Sequence, residues 1–344
     1  MNTTKANAPP EVMRAWECRH YGGPEALSMA IRALPTPGPK QLLLRMDACT
    51  VESADARIRA MRLPRGFGLI GRLVFGWRRP RQPVLGSVVT GTVAAVGERV
   101  RVWAEGDVVV AATGSRLGAH AEWVLLDEHR AMVRRPSTVT AEHAVSVVFG
   151  GMTALYFLDH ARAAAGESLL VIGATGSVGS ALVQLARARG LNVEGMSSAP
   201  NLALARELGA DPAYDYRLRP VPSLAPAQYD IIADTCAASS FAECLPLLAS
   251  RGRYLGIAAD LAAMLALPRR GRKPISGTAP DSAKLLQAVM DLAEARVLRP
   301  LIDSVFSFDA MPTAHARVDS GRKHGSVVVT SIGTSNALFE QSGE

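Results

Sequence analysis

The sequence predicts an α/β chain of two units: a compact antiparallel β-rich domain followed by a doubly wound parallel sheet. Three observations predict it. An apolar run, Leu169-Leu170-Val171-Ile172, feeds a glycine-punctuated turn that opens a helix. Apolar strands then alternate with helices from about residue 140 to 298, the mark of a parallel sheet covered on both faces. Before them, from residue 12 to about 133, short β-like runs are separated by turns such as Pro35-Thr36-Pro37-Gly38-Pro39, which suits antiparallel strands.

In chain order, the β-like runs fall at 41–46, Val88–Val96, 107–112 and 121–126. Residues 144–158 form the longest apolar stretch, but Gly150-Gly151 and Thr153 interrupt it. It reads as a buried helix, too short and too broken to span a membrane. Parallel strands are expected at 169–172, 191–196, 230–233 and 253–257, with helices at 201–208, 241–248 and 282–295. Beyond residue 305, a strand, a turn and a short helix (311–320) lead to Ser326-Val327-Val328-Val329-Thr330. That last run is expected to pair back onto the first domain. The first domain is therefore 12–139 completed by 304–332, the second is 140–298, and 1–11 and 335–344 are expected to be flexible tails.

The turn itself is Gly173-Ala174-Thr175-Gly176-Ser177-Val178-Gly179. Val178, Leu182, Leu185 and Ala186 recur on one face of the helix it opens. Gly176 lets the backbone approach a pyrophosphate, Gly179 allows close helix–strand packing, and free N–H groups at the helix start face the anion. Ala174 stands where the usual fingerprint has its first glycine, giving A-x-G-x-x-G. Strand, turn and helix together point to a bound dinucleotide. The next strand ends at Ser197-Ser198, where an NAD site places an acid on the ribose 2′-hydroxyl. A hydroxyl accommodates a 2′-phosphate that a carboxylate would repel, so the sequence favours NADPH over NADH. Arg206 and Arg217 are candidate sources of positive charge, and each also reads as a solvated surface residue.

Composition bounds the rest. The 344 residues, 48% hydrophobic and 20% charged, have room for two cores. Cys18, Cys49, Cys236 and Cys244 form no C-x-x-C pair, so neither a zinc ribbon nor a disulfide framework is indicated and a reducing cytoplasm is the expected setting. Residues 1–11 are polar and carry no apolar signal-peptide core. The net charge of +7 concentrates at Arg57, Arg62, Arg65, Arg72, Arg78, Arg79 and Arg81, and no Asp or Glu occurs from Ala56 to Gly97. No nucleic-acid recognition motif accompanies it, so DNA is not an expected partner. The expectation is a surface helix or flap that tucks Phe67, Leu69, Leu73 and Phe75 toward the cleft while its arginines face water; RNA or an anionic membrane surface is the rival. A second basic cluster, 269–274, reads as an exposed connection.

Several further motifs fall in a family's order: Leu85-Gly86-Ser87-Val88-Val89-Thr90-Gly91-Thr92-Val93, Phe149-Gly150-Gly151-Met152-Thr153-Ala154-Leu155, Glu207-Leu208-Gly209-Ala210-Asp211 and Ser320-Gly321-Arg322-Lys323-His324-Gly325-Ser326-Val327-Val328. With the glycine turn, they make the chain resemble the zinc-free, quinone-oxidoreductase-like (zeta-crystallin-like) branch of the medium-chain dehydrogenase/reductase superfamily. The resemblance covers residues 13–330. It implies a GroES-like catalytic domain, a Rossmann cofactor domain, a substrate cleft between them, and homodimers joined through the edge of the Rossmann sheet.

Where zinc-dependent relatives carry three catalytic ligands, the matching positions here are Glu52, Ser87 and Phe149. Phenylalanine is no ligand, so no metal is expected. His120, His129 and His143 read as surface or core-edge residues. Without a Lewis acid, hydride transfer is easiest to acceptors that delocalise the incoming charge themselves, namely quinones and α,β-unsaturated carbonyls. The resemblance places Thr153 near the nicotinamide, Tyr216 beside the adenosine phosphate, and Glu52 and Arg57 on the segment lining the substrate cleft. Arg57 is expected to stabilise an enolate and Glu52 to position it, with a surface salt bridge between the two as the plainer reading. Asp55 and Arg59 keep the family spacing and read equally as structural, and Val88 replaces the acid of the G-x-D-x-x-G turn. Besides an NADPH-dependent quinone or enone reductase, the sequence leaves open a dedicated pathway dehydrogenase or reductase and a non-catalytic NADPH-binding protein.

Overall fold

A computed structural model describes residues 10–331. The first sheet is built around β3 (Gln41–Val51), after a separate hairpin of β1 (Val12–Cys18) and β2 (Leu27–Ala33). Two helices follow, α1 (Ser53–Ala60) and α2 (Gly68–Phe75), then β4 (Val88–Val96), β5 (Val108–Ala112), β6 (Trp123–Asp127) and β7 (Ala131–Arg134). One edge of β3 pairs with β4, and β4–β5–β7 continue antiparallel. The expected run 88–96 is β4 as predicted. The other three expected runs are β3, β5 and β6 with their ends shifted by the pairing, and β7 was not among them.

Helix α3 (Ala141–His160) leads into the second domain and packs against the first sheet and against two helices of the second domain. It is long and apolar enough to cross a membrane by length alone, yet most of it is buried inside the protein. Thr140 caps its start through a hydrogen bond from His143 N. Gly150 is required here: a Cβ would lie 2.2 Å from the carbonyl oxygen of Ser177, so only glycine lets α3 pass this close to the next helix.

The second sheet takes in β8 (Ser168–Ile172), α4 (Ser177–Ala188), β9 (Asn192–Ser197), α5 (Leu202–Glu207), β10 (Ala213–Asp215), β11 (Tyr229–Asp234), α6 (Phe241–Cys244), β12 (Leu248–Gly256), α7 (Leu261–Met264), β13 (Lys273–Ser276) and α8 (Ala283–Glu294). Its strands are all parallel in the order β10-β9-β8-β11-β12-β13. The order reverses between β8 and β11, so the crevice beyond the end of β8 is the switch point where such sheets bind ligands. The glycine turn sits there. The chain then returns through β14 (Ile302–Ser307), α9 (Met311–Asp319) and β15 (Ser326–Thr330), and β15 pairs antiparallel with β3.

Three expectations need correction. The helix expected at 241–248 ends at Cys244, because Pro246 offers no N–H and Leu248 already pairs with Tyr229 in the sheet. Part of the supposed connection at 269–274 belongs to the edge strand β13. His120 is fully buried, not at the surface or core edge; its Nε2 lies 3.0 Å from the Thr50 carbonyl. Of the expected tails, 1–9 and 335–344 lie outside the described residues, and the Glu11 carbonyl is held by Leu34 N at 2.9 Å.

Candidate active site at the domain junction

The turn after β8 fits a pyrophosphate on steric grounds. Gly173 has φ +84°, so the tight-turn role falls to it and the neighbouring Ala174 is simply buried. A Cβ on Gly179 would lie 2.0 Å from the Gly173 carbonyl oxygen, which fixes glycine at the point of closest helix–strand approach. Gly176 is the N-cap of α4 with no side-chain cap, and a Cβ there would meet nothing nearer than 3.5 Å. The first N–H groups of the helix, on Ser177, Val178 and Gly179, have no partner within the helix and face that open side. A cradle of this shape suits the anionic centre of a dinucleotide.

On the adenosine side, the fold brings Ser197, Ser198 and Tyr216 together: Tyr216 N donates to the Ser197 carbonyl at 3.2 Å. Ser197 is buried and its hydroxyl is engaged with Thr175 Oγ1 at 2.7 Å. Ser198, half-buried, accepts from Asn201 Nδ2 at 3.2 Å and is the more accessible of the two hydroxyls. The Arg217 guanidinium stands 5.5 Å from the centre of the exposed Tyr216 ring. Arg206 is instead turned toward the Ala213 carbonyl.

Strand β15 ties the turn to the catalytic side. Gly325 N donates to the Thr175 carbonyl at 2.9 Å. Ser326 Oγ lies 3.0 Å from Ser177 Oγ and donates to the Ser146 carbonyl at 2.9 Å. Against these residues lies Glu52, the buried N-cap of α1. Its Oε2 is 4.0 Å from Lys323 Nζ, and its Oε1 has no hydrogen-bond partner among the described residues. Burial pushes the Glu52 carboxyl up to about 7, opposed by the Lys323 ammonium and aided by the charge of Asp55. Asp55, fully buried and accepting from Glu52 N at 2.8 Å, is likewise pushed up to about 7 by burial. Two carboxyls poised near neutrality beside a cofactor turn form an unusual concentration of titratable groups.

The expected pairing of Glu52 with Arg57 is not made. Five positions apart at a helix start, the two point to different sides, and the Arg57 charge instead reaches Cys236 weakly, opposing the burial that raises that thiol. Arg59 is fully buried, pairs with Asp319, and donates to Gly22 O at 2.8 Å and His315 Nδ1 at 3.3 Å, so its part is structural. Thr153 is half-buried on α3 with its hydroxyl bonded back to Phe149 O at 2.8 Å. Lys323 and Ser326 were missed as site residues. The motif around them was visible, but only the long-range pairing of β15 with β3 brings them to Glu52.

At the positions matching zinc ligands in relatives, Glu52 offers one carboxylate, Ser87 a buried hydroxyl without a partner among the described residues, and Phe149 no donor. Among the described residues, no group of three or more His, Cys, Asp or Glu side chains is placed to hold a metal ion.

An alcohol dehydrogenase GroES-like domain matches residues 38–163, and a zinc-binding dehydrogenase domain matches residues 208–329. The chain is 30% identical over 331 residues to the quinone oxidoreductase of Pseudomonas aeruginosa, covering 90% of this chain and 97% of that protein. It is 25% identical over 344 residues to the chloroplastic NADPH-dependent alkenal/one oxidoreductase of Arabidopsis thaliana, covering 96% and 83%. The structure of the quinone oxidoreductase from Coxiella burnetii matches with a TM-score of 0.83 at 21% identity, over 93% of this chain and 100% of that one. By that extent of likeness the chain belongs to the quinone-oxidoreductase-like branch of the medium-chain dehydrogenase/reductase superfamily, and is a nicotinamide-dependent oxidoreductase.

Proposed function

We propose that this protein transfers a hydride from NADPH to a quinone or an α,β-unsaturated carbonyl, without zinc. The observation that carries the reading is the donor set at Glu52, Ser87 and Phe149, too poor for a catalytic metal and set against the cofactor turn through Ser326. The names of the relatives from Pseudomonas and Arabidopsis support the substrate class, and the second also supports NADPH. Ser198, with Tyr216 and Arg217 beside it, supplies a hydroxyl and a cation for a 2′-phosphate and presents no carboxylate to repel it.

Bound NADPH supplies the hydride, that is, two electrons and one proton. The N–H groups of Ser177, Val178 and Gly179 would hold the pyrophosphate, and α3 with Phe149 and Thr153 would wall the cleft. Arg57, on the helix that follows Glu52, would supply the cation for the oxyanion that forms on the acceptor. One further proton completes the hydroquinone or saturated carbonyl. The Glu52 carboxyl, held near neutrality and adjoined by Lys323 and Ser326, is a proton source of suitable strength. The same reading makes the protein a homodimer joined along the exposed edge strand β13.

The test is NADPH oxidation against a panel of quinones, enones and aldehydes, with and without EDTA, alongside elemental analysis and sedimentation. Turnover of quinones or enones that survives EDTA, in a dimer without stoichiometric zinc, is expected. One tightly held zinc per chain, or activity confined to simple alcohols, overturns the reading.

A further inference from the structure

Helix α2 is amphipathic in reverse. Its inner side is formed by Gly71, packed under Leu63, and by Phe75, which joins the core of the first domain. Leu69, Ile70, Leu73 and Val74 fall at i, i+1, i+4 and i+5, a single stripe, and together with Trp77 each is between 43% and 62% exposed. The expectation that Leu69 and Leu73 tuck toward the cleft is therefore wrong: Gly71 brings the helix close on its other side and leaves the apolar stripe in water.

The segment is held in place. Arg72 donates to the Trp77 carbonyl at 2.6 Å, Tyr21 to the Gly76 carbonyl at 2.7 Å, and Arg81 N to the Phe75 carbonyl at 2.7 Å. On the cofactor domain, Leu261 N donates to the Arg65 carbonyl at 3.0 Å, which sets the start of α7 against the base of α2. Just beyond α7, Leu265 and Leu267 are more than 70% exposed.

Around the stripe stand Arg65, Arg72, Arg78, Arg79 and Arg81, none with a carboxylate within 4.0 Å among the described residues, in a stretch without Asp or Glu from Ala56 to Gly97. We propose that this face docks reversibly on an anionic lipid surface, the stripe and Trp77 entering the headgroup boundary and the arginines meeting lipid phosphates. Charge decides the occupant. A two-fold contact with a second copy would set five unpaired arginines against the same five. A nucleic acid would satisfy the arginines but leave four aliphatic side chains facing phosphates. The proposal is independent of the reading of the cleft, since a protein inactive toward every acceptor would still bind.

The experiment is co-sedimentation of the full-length protein with vesicles of phosphatidylcholine plus phosphatidylglycerol, and with phosphatidylcholine alone. Binding to the anionic vesicles only, weakening as salt is raised, is expected. Arg78→Ala/Arg79→Ala should weaken it by roughly thirtyfold, at about fivefold per arginine, and Leu69→Gln/Leu73→Gln by at least about tenfold. The emission of wild type should shift to the blue on binding, and that of Trp77→Phe should not. Thermal melting checks that the exposed substitutions leave the fold intact. Failure to sediment with anionic vesicles, or binding that neither double variant weakens, overturns the proposal. So does retention of RNA that depends on the arginines but not the leucines, or a change of oligomeric state in Leu69→Gln/Leu73→Gln.

Discussion

Gly176 and Gly179 lie three residues apart in one turn, yet alanine at the two positions should fail in different ways. At Gly179 a methyl carbon would sit 2.0 Å from the Gly173 carbonyl oxygen and 3.0 Å from Ala174 Cα, both backbone atoms that cannot rotate aside. To reach even 3.0 Å, the turn must open by at least about 1 Å. Overpacking of that kind costs about 1–3 kcal/mol, or roughly 3–9 °C in Tm. The same movement carries the anion-facing amides beyond hydrogen-bond reach. Losing two charge-assisted bonds at about 1.5 kcal/mol each weakens NADPH by roughly 100-fold. At Gly176, with φ −75° and no atom nearer than 3.5 Å, the fold accepts a methyl group. That methyl stands on the open side where the pyrophosphate would approach. Gly176→Ala should therefore keep Tm within about 2 °C while Kd for NADPH rises about tenfold or more. Thermal melting and nicotinamide fluorescence titration measure both quantities. Wild-type affinity in Gly176→Ala, together with unchanged Tm in Gly179→Ala, would refute this account of the turn.

Ser198→Asp should weaken NADPH more than NADH in the same titration, while Ser197→Asp, which buries a carboxylate against Thr175, should instead lower Tm. Glu52 and Asp55 are both raised to about 7, so between their unfolded values and about 7 the folded state keeps protons that the unfolded chain has released. Stability should then fall as pH rises from about 5 to about 8, and Glu52→Gln should flatten the fall in urea midpoints measured across that range. Asp319→Ala strips the fully buried Arg59 of its carboxylate and should cost about 3 kcal/mol in urea unfolding; a loss below about 1 kcal/mol would remove the pair from the structural account.

Features that depend on neighbours in sequence were legible in advance. The run from Leu169 through Gly179 carries its own strand, turn and helix signals, and Val88–Val96 and Ser326–Thr330 are valine-rich runs that read as strands. The short strands β10 and β13 were not legible, because three or four residues owe their conformation to pairing with β9 and β12. In α2 the helical period of the apolar residues was visible, but the rule that apolar faces turn inward gave the wrong side. A glycine, which leaves no hydrophobic signal, makes the inner face. Glu52 was expected beside Arg57, and the structure gives it Lys323 as its charged neighbour instead. Arg57 is close in sequence, whereas Lys323 reaches Glu52 only through the register Val327↔Val51.

That same register has a consequence for how the protein is made. Synthesis runs from the N-terminus, and domains tend to fold as they emerge. The parallel sheet that presents the glycine turn is complete by β13, yet the contacts that close over the turn come from Gly325, whose N donates to the Thr175 carbonyl, and from Ser326, bonded to Ser177 and Ser146 across 149 and 180 positions. Until β15 leaves the ribosome, the turn stands open and β3 has a bare edge from Ala48 to Val51. A nascent chain paused before residue 326 therefore offers both an unfinished cofactor site and an unpaired strand to its surroundings. Emergence of β15 thus closes the cofactor turn and covers the open edge of β3 in one step.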